Sequence, residues 1–312
     1  MKPALSIVLF TTIAGAAQGL MVVLAVATLA NRPPVEALLP MLWTATGMLV
    51  LALVASFFHL GHPMRAWRAV LMWRTSWMSR EVIVLPAFMA LAGAWAVWAT
   101  LAEPVAAAAA APWLAALTIP GALVLWYCTA MIYACIRFVQ EWAHPLTVVN
   151  YTLLGLASGV VAAGAVGALA GDTAFAASVT GWAMATTTLA WFTRALSLRR
   201  NSHLKPMSTP QSATGIQAAR VVQKSMGMTG GSFNTREFFH GATAQAIRRT
   251  PLVFQSLAFG VPLLLLGWAW GTGTPAIWPL AFSSQAAGLL LERWYFFAQA
   301  RHPQNIYYQA VS

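Results

Sequence analysis

Residues 5–30, LSIVLFTTIAGAAQGLMVVLAVATLA, decide the fold class of this chain. The run carries no charged side chain, and Lys2 just before it makes the N-terminus resemble a secretory signal. The apolar core of a signal peptide has about 7–15 residues, whereas about 20 apolar residues cross a bilayer as a helix. The stretch therefore predicts a first transmembrane helix rather than a cleaved leader.

Composition extends this prediction to the whole chain. Of its 312 residues, 59% are hydrophobic and only 8% are charged, too few charges to cover the surface of a soluble domain of this size. We expect one integral membrane domain over residues 1–312, with little room for a soluble catalytic domain. A net charge of +11 indicates nucleic-acid binding in a soluble protein. In a membrane protein the placement of the charges matters more, and no nucleic-acid partner is expected.

Apolar runs of span length recur along the sequence. They predict an all-α bundle of eight transmembrane helices, at Leu5–Ala30, Leu39–Leu60, Val82–Leu101, Pro112–Arg137, Val148–Leu169, Thr173–Leu196, Pro251–Trp270 and Ile277–Phe297. Several prolines, among them Pro104, Pro112, Pro145 and Pro251, are expected at or near span ends, where helix breakers belong. The only long polar stretch is residues 197–250, which is predicted to be a loop between the sixth and seventh helices.

Basic residues decide the orientation. With eight spans, 17 of the 18 Lys and Arg residues fall on the side that holds both termini, and Arg32 alone falls on the other. Lys and Arg concentrate in the cytoplasmic loops of membrane proteins. Both termini and the loop 197–250 are therefore expected in the cytoplasm.

Metal ligands are sparse. Cys128 and Cys135 lie on one predicted apolar helix, where we expect unreactive core thiols, and the chain has no Cys-x-x-Cys pair for zinc or an iron–sulfur cluster. A membrane b-type haem needs two histidines on facing helices at matching depth. Only His59 and His62 end a long span, and both come from one helix, so no haem and no other metal site is expected in this chain.

Polar residues cluster at the ends of the second and third spans. His59 ends the second span, Arg65 follows it, and Glu81 begins the third. One interpretation is that the arginines of this stretch pair with lipid phosphates while Trp67, Trp73 and Trp77 join the aromatic belt. That explains His59 and Glu81 less well, because a carboxylate at a span end is costly unless it is paired or lines a polar cavity.

A quinone site is the sharper interpretation. A quinone headgroup needs donors for two carbonyl oxygens and takes up two protons with two electrons. Histidine can donate and relay a proton near neutral pH, so His59 is the candidate donor and Glu81 the candidate proton relay. Glu292 and Arg293 form a second polar group on the same side, at the end of the last span.

At these residues the sequence resembles a known family. SFFHLGHPMRAWRAV, followed some twenty residues later by SREVI, is similar to the HLGxPxRA and Ser-x-Glu motifs of the dimethyl sulfoxide reductase anchor subunits. ERWYFFAQARHPQNIYYQ is similar to the C-terminal Glu-x-x-x-Phe region of that family. The resemblance covers essentially the whole chain. This sequence differs from the family pattern at His62, where the family has Ser or a similar residue. It also differs in the long loop 197–250, which short family members lack.

The resemblance implies a function. Such anchors, in the inner membrane of the cell, hold a molybdopterin catalytic subunit and an iron–sulfur subunit with four clusters. They exchange electrons with ubiquinone or menaquinone and do not themselves catalyse the substrate half-reaction. The quinone site implied here is His59, Arg65 and Glu81, with Glu292 and Arg293. The arginines expected to dock the partner subunit are Arg68, Arg74, Arg80 and Arg137.

Orientation separates the branches of the family. The motif loop lies on the side predicted to be cytoplasmic, which resembles the sulfite-oxidising branch, the membrane-bound cytoplasmic sulfite dehydrogenases, whose anchors reduce quinone. The alternative within the family is the anchor of a periplasmic dimethyl sulfoxide reductase that oxidises menaquinol. Alternatives of other kinds are a transporter, which predicts ionisable residues near mid-membrane and discontinuous helices, and a purely structural anchor.

Overall fold

The computed structural model describes residues 2–30, 37–58, 60–222, 224 and 240–303, and every regular element in these ranges is helical. The α-helices, numbered here in chain order, are α1 Leu5–Leu29, α2 Leu38–Phe57, α3 Trp77–Leu101, α4 Pro104–Ala134, α5 Pro145–Leu169, α6 Thr173–Ser202, α7 Pro210–Thr214, α8 Ala244–Gln255, α9 Val261–Thr272 and α10 Trp278–Ala298. Short 3₁₀ helices span Pro63–Met72 and Pro275–Ile277, and a π-helical turn, Ser256–Gly260, joins α8 to α9.

Within the described ranges, six helices are long and apolar enough to cross a membrane: α1 to α5 and the joined helix Ala244–Thr272. The chain is thus a multi-pass membrane protein. Helices α6 and α10 are long enough, at 30 and 21 residues, but they are less apolar because threonines and arginines interrupt α6 and Glu292 and Arg293 interrupt α10. The crossing of these two helices stays a prediction, as does the total of eight.

Several element ends differ from the expectation. Helix α6 continues to Ser202 and α8 begins at Ala244, so the connection expected at residues 197–250 is shorter at both ends. Pro112 and Pro251 lie inside helices rather than at span ends. A membrane helix tolerates an internal proline because neighbouring helices and side chains can satisfy the backbone carbonyl that it leaves without a donor.

Helix α5 lies at the centre of the bundle, packed against α1, α4, α6 and α10. Its crossing with α1 is built from glycines, and the Cα of Gly159 meets the backbone of Gly19. Small residues let two membrane helices approach closely enough for backbone contact, which is how dispersion forces hold helices together where lipid is as apolar as the side chains. This crossing fixes the position of α1 beside the polar residues described below.

Replacing Gly159 with alanine is expected to destabilise the fold by about 1–3 kcal/mol, because the added methyl group would overlap the backbone of Gly19. The matched control is Gly93→Ala, at a helical glycine whose Cβ position has no atom of the described residues within 4 Å. Thermal unfolding of the purified variants in detergent measures the difference. Equal unfolding temperatures for the two variants would show that the α1–α5 crossing is not tight.

Candidate functional site

Glu81 lies inside helix α3, because this helix begins at Trp77 and not at the expected Val82. The Ser76 hydroxyl caps the helix by accepting a hydrogen bond from the Ser79 N–H at 3.3 Å. The Glu81 side chain turns inward and is 8% exposed. There its carboxylate accepts a hydrogen bond from the Thr129 hydroxyl of α4. A buried carboxylate needs such a donor, and Thr129 is a partner that the sequence did not identify.

His59, the expected quinone donor, lies outside the described residues. Arg65, its neighbour in the motif, is exposed on the 3₁₀ helix Pro63–Met72. Side chains three apart eclipse one another along a 3₁₀ helix, so this helix carries distinct ridges. One ridge is apolar, with Met64, Trp67 and Val70. The next holds Arg65, Arg68 and Leu71, and Arg74 follows in the turn just after the helix. We call the three exposed arginines Arg65, Arg68 and Arg74 the arginine ridge.

Arg80 stands apart from the arginine ridge. Its guanidinium donates to the carbonyls of Trp73 and Arg74 at 2.9 Å each and lies 4.0 Å from the centre of the Trp77 ring. These bonds tie the end of the 3₁₀ helix to the start of α3. Much of the donor capacity of Arg80 is therefore used within the chain, next to Glu81.

A buried ion cluster joins the last helix to α6. Glu292 is fully buried, and its two carboxylate oxygens lie 2.6 Å from Arg194 Nε and 2.6 Å from Arg293 Nε. We call these three residues the ion triad. Glu292 precedes the end of α10 at Ala298 by six residues, about 9 Å along the axis. With two guanidinium groups and one carboxylate, the triad carries one net positive charge inside the bundle.

Aromatic rings surround the ion triad. The Arg293 guanidinium carbon lies 4.2 Å from the centre of the Tyr151 ring, and that of Arg194 lies 5.6 Å from the Phe254 ring. Glu292 and Arg293 were expected at the cytoplasmic rim of the last span, whereas the structure buries them. Arg194 was missed as a partner and counted as a rim charge. The sequence could have indicated this role, because Arg194 lies within the apolar run TLAWFTRALSL and an ionisable group inside a span needs a partner.

The Glu81–Thr129 pair and the ion triad each contribute one residue to the lining of a small crevice among α1, α4, α5 and α10. Thr129, the partner of Glu81, and Arg293 of the ion triad both line it, together with Gln18, Trp126 and Tyr151. Helix α10 packs against α1, α5 and the α8–α9 helix, whereas α3 packs against α2 and α4. The last helix and α4, which carries the partner of Glu81, therefore meet at the crevice, and extensive packing of the last helix is with α1, α5 and the α8–α9 helix.

The connection between α4 and α5, residues 135–144, covers the end of the bundle at which α4, α6 and α10 end. The Trp142 indole N–H donates to the Phe296 carbonyl at 3.0 Å, and Arg200 donates to the Gln140 carbonyl. His144 caps α5, its Nδ1 accepting from the Leu146 N–H at 3.1 Å. Burial, and then the nearby Arg200 charge, lower the pKa of His144, which keeps Nδ1 available as an acceptor.

Arg137 is exposed in that connection, at the edge of a groove of about 950 Å³. Glu141, Arg301, Leu204 and residues 206–210 also line the groove. Cys128 is buried as expected, but Cys135 is exposed. The expectation of two core thiols was wrong for Cys135, because α4 ends at Ala134 rather than at Arg137.

Comparison with known proteins gives the family. Residues 1–224 match the model of the DMSO reductase anchor subunit (DmsC), a range that includes His59, Arg65 and Glu81 but ends before the last helix. The chain is also 46% identical to a sulfite dehydrogenase subunit of Allochromatium vinosum, over the full length of both proteins. The chain belongs to the DMSO reductase anchor subunit family, and it is a membrane anchor subunit of an oxidoreductase.

Proposed function

We propose that this anchor passes electrons between an iron–sulfur subunit and the quinone pool, and that the reaction it serves is the oxidation of sulfite with reduction of quinone. The observation that carries the proposal is a buried carboxylate, Glu81, at the end of the bundle, in a chain similar along its whole length to a sulfite dehydrogenase subunit. Quinone reduction needs such a group because each quinone takes up two protons.

The residues around Glu81 fit a quinone. Large apolar side chains, Phe57, Phe58, Met78 and Ile83, lie exposed on α2 and α3, and such a surface suits an isoprenoid tail. Glu81 accepts from Thr129, so it is held ready to exchange a proton with a headgroup oxygen. His59 and Arg65 are proposed to hold the headgroup. Glu292 and Arg293 are proposed to act from the far side of the crevice rather than as direct ligands.

The arginine ridge is proposed as the docking surface for the iron–sulfur subunit. Arg68 and Arg74 are exposed on it, and exposed cations steer and orient an acidic partner. Arg137 extends this positive surface across the end of the bundle, and Arg80 shapes it by holding the 3₁₀ helix. The partner is proposed to carry four clusters and to connect a molybdopterin subunit to the membrane.

Sequence identity favours sulfite as the substrate of the complex, because the relative that matches over its full length is a sulfite dehydrogenase subunit. The runner-up is the anchor of a dimethyl sulfoxide reductase that takes its electrons from menaquinol.

A transporter would need a pathway for its solute. The crevice beside the ion triad has a volume of about 20 Å³, far below the roughly 300–1,000 Å³ of ligand pockets, and the larger groove of about 950 Å³ is lined mainly by residues of the connections and of the end of the last helix. Purification of this chain by an affinity tag tests the proposal. A molybdenum- and iron-containing complex that reduces quinone with sulfite supports it, and isolation of the chain alone contradicts it.

Cysteine labelling tests the proposed orientation, with both termini in the cytoplasm of an inner-membrane protein. Cys135 is exposed at the end of α4, on the side of the N-terminus of α1 if each helix crosses, whereas Cys128 is buried. A membrane-impermeant maleimide is expected to label this chain in inside-out vesicles and not in right-side-out vesicles, with Cys135→Ser as the unlabelled control. Labelling of right-side-out vesicles would reverse the orientation and favour the periplasmic branch.

A further inference from the structure

The crevice among α1, α4, α5 and α10 is large enough to hold a water molecule. Its volume of about 20 Å³ exceeds the roughly 10–15 Å³ that one water molecule needs and leaves no room for a quinone ring. It lies between Thr129 on one side and Arg293 on the other. What the crevice can hold therefore depends on its polar atoms.

Four buried polar atoms of residues that line the crevice have no hydrogen-bond partner among the described residues: Gln18 Oε1, Trp126 Nε1, the Tyr151 hydroxyl oxygen and Arg293 Nη1. The first two belong to α1 and α4. Gln18 is 2% exposed, and its amide nitrogen already donates to the Ala14 carbonyl at 3.0 Å. The Trp126 nitrogen faces Gly155, since a Cβ there would lie 2.5 Å from it. Leaving such an atom unsatisfied costs about 1–3 kcal/mol, so both atoms point to a polar occupant.

Other polar groups at the crevice are already satisfied within their own helices. The hydroxyls of Thr11, Thr12 and Ser158 donate to backbone carbonyls one turn earlier. Thr129 donates its hydrogen to Glu81, which leaves its oxygen free to accept. The remaining groups are two acceptors, Gln18 Oε1 and Thr129 Oγ1, two sources of N–H donors, Trp126 and Arg293, and the Tyr151 hydroxyl, which can donate or accept. One water molecule donates two hydrogen bonds and accepts two, so it can satisfy up to four of these groups.

We propose that this crevice binds one internal water molecule, which connects Thr129, and through it Glu81, to Arg293 and the ion triad. A water that donates to Thr129 Oγ1 keeps the hydroxyl hydrogen of Thr129 directed at Glu81. Gln18 and Trp126 are then positioning residues, which hold the water and do not touch quinone. The role of the water in turnover rests on the proposed function, whereas its binding does not.

A density map of the purified complex at a resolution that shows ordered water tests the binding site. One water peak is expected within hydrogen-bond distance of Gln18 Oε1 and Thr129 Oγ1, and Gln18→Leu is expected to remove it. The matched control is Gln285→Leu, the same change at a buried glutamine on α10 that bonds Ala258 and Thr187 away from the crevice. It is expected to keep the peak. A dry crevice, or one filled by a lipid or quinone chain, would overturn the proposal.

Turnover measures the positioning role separately. Gln18→Leu is expected to lower kcat for quinone reduction about tenfold, with the KM for quinone and the rate with a water-soluble electron acceptor unchanged. The same loss in Gln285→Leu, or an unchanged kcat in Gln18→Leu, overturns the positioning role. If the wild-type complex reduces no quinone, the proposed function fails, and the density map still decides whether the water is bound.

Discussion

Replacing Glu292 with glutamine is expected to lower the free energy of unfolding by about 3–5 kcal/mol, the cost of breaking a buried ion pair by removing one partner. The cost is large here because one carboxylate serves two arginines. Its oxygens lie 2.6 Å from Arg194 Nε and from Arg293 Nε, and all three side chains are at most 5% exposed. The variant leaves two guanidinium charges in a bundle interior that cannot solvate them.

The physical account also predicts how the loss can be reversed. Replacing the whole ion triad with apolar residues, as Arg194→Met, Glu292→Leu and Arg293→Met together, removes every buried charge at once. Such replacements of buried ion groups are often neutral or stabilising. The triple variant is therefore expected to unfold at a higher temperature than Glu292→Gln. Its quinone reduction is expected to be impaired, because Arg293 no longer lines the crevice beside Thr129.

Thermal unfolding of the purified complexes in detergent, with the amount of folded protein in the membrane, measures both effects. Glu103→Gln is the control, since Glu103 is an exposed carboxylate at the N-terminus of α4. If Glu292→Gln unfolds at the wild-type temperature, the carboxylate is not the counter-ion of the two arginines. If the triple variant is less stable than the single variant, packing and not charge determines the stability of this region.

Local sequence information was sufficient for most of the fold. Runs of about 20 apolar residues located the helices, because a span must satisfy its own backbone within the bilayer. The ends of helices were less well predicted. Trp77 to Glu81 and Pro104 to Ala111 are helical although they lie outside the bounds of the predicted spans. A helix can continue past the apolar run where neighbouring helices or a cap support it, as Ser76 does for α3.

The sequence indicated candidate residues only where they lie close together in the chain. Glu81 is a carboxylate beside an apolar run, so its need for a partner or a polar cavity could be inferred from its cost in lipid. Its partner Thr129, and the pairing of Arg194 with Glu292, join residues 48 and 98 positions apart. A single sequence holds no record of such contacts. Gln18 was overlooked for a different reason, since one amide barely alters the apolarity of α1.

The second large effect is expected on quinone reduction, from the substitution Glu81→Gln. Glutamine keeps the shape of the side chain and an oxygen that can accept from Thr129, but it cannot carry a proton. A positioned acid or base contributes about 10²–10⁴-fold to a proton transfer. Quinone reduction is therefore expected to fall at least about 100-fold. Sulfite oxidation with a water-soluble electron acceptor is expected to continue, because that reaction takes place in the partner subunits.

Thr129→Val separates orientation from proton transfer. It keeps Glu81 but removes the hydroxyl that donates to the carboxylate. A smaller loss of quinone reduction, about tenfold, is expected. A loss equal to that of Glu81→Gln would mean that the carboxylate cannot transfer the proton without this hydroxyl, and would contradict a role of Thr129 in orientation alone.

The rate of sulfite-dependent quinone reduction by the purified Glu81→Gln complex, divided by its rate with the water-soluble acceptor, tests the central claim most directly. The ratio cancels any loss of assembled complex, and Glu103→Gln provides the wild-type reference for a carboxylate at the opposite end of the bundle. We predict that this ratio falls at least about 100-fold for Glu81→Gln and stays unchanged for Glu103→Gln. A Glu81→Gln complex with the full wild-type ratio would contradict the claim that this anchor reduces quinone at Glu81.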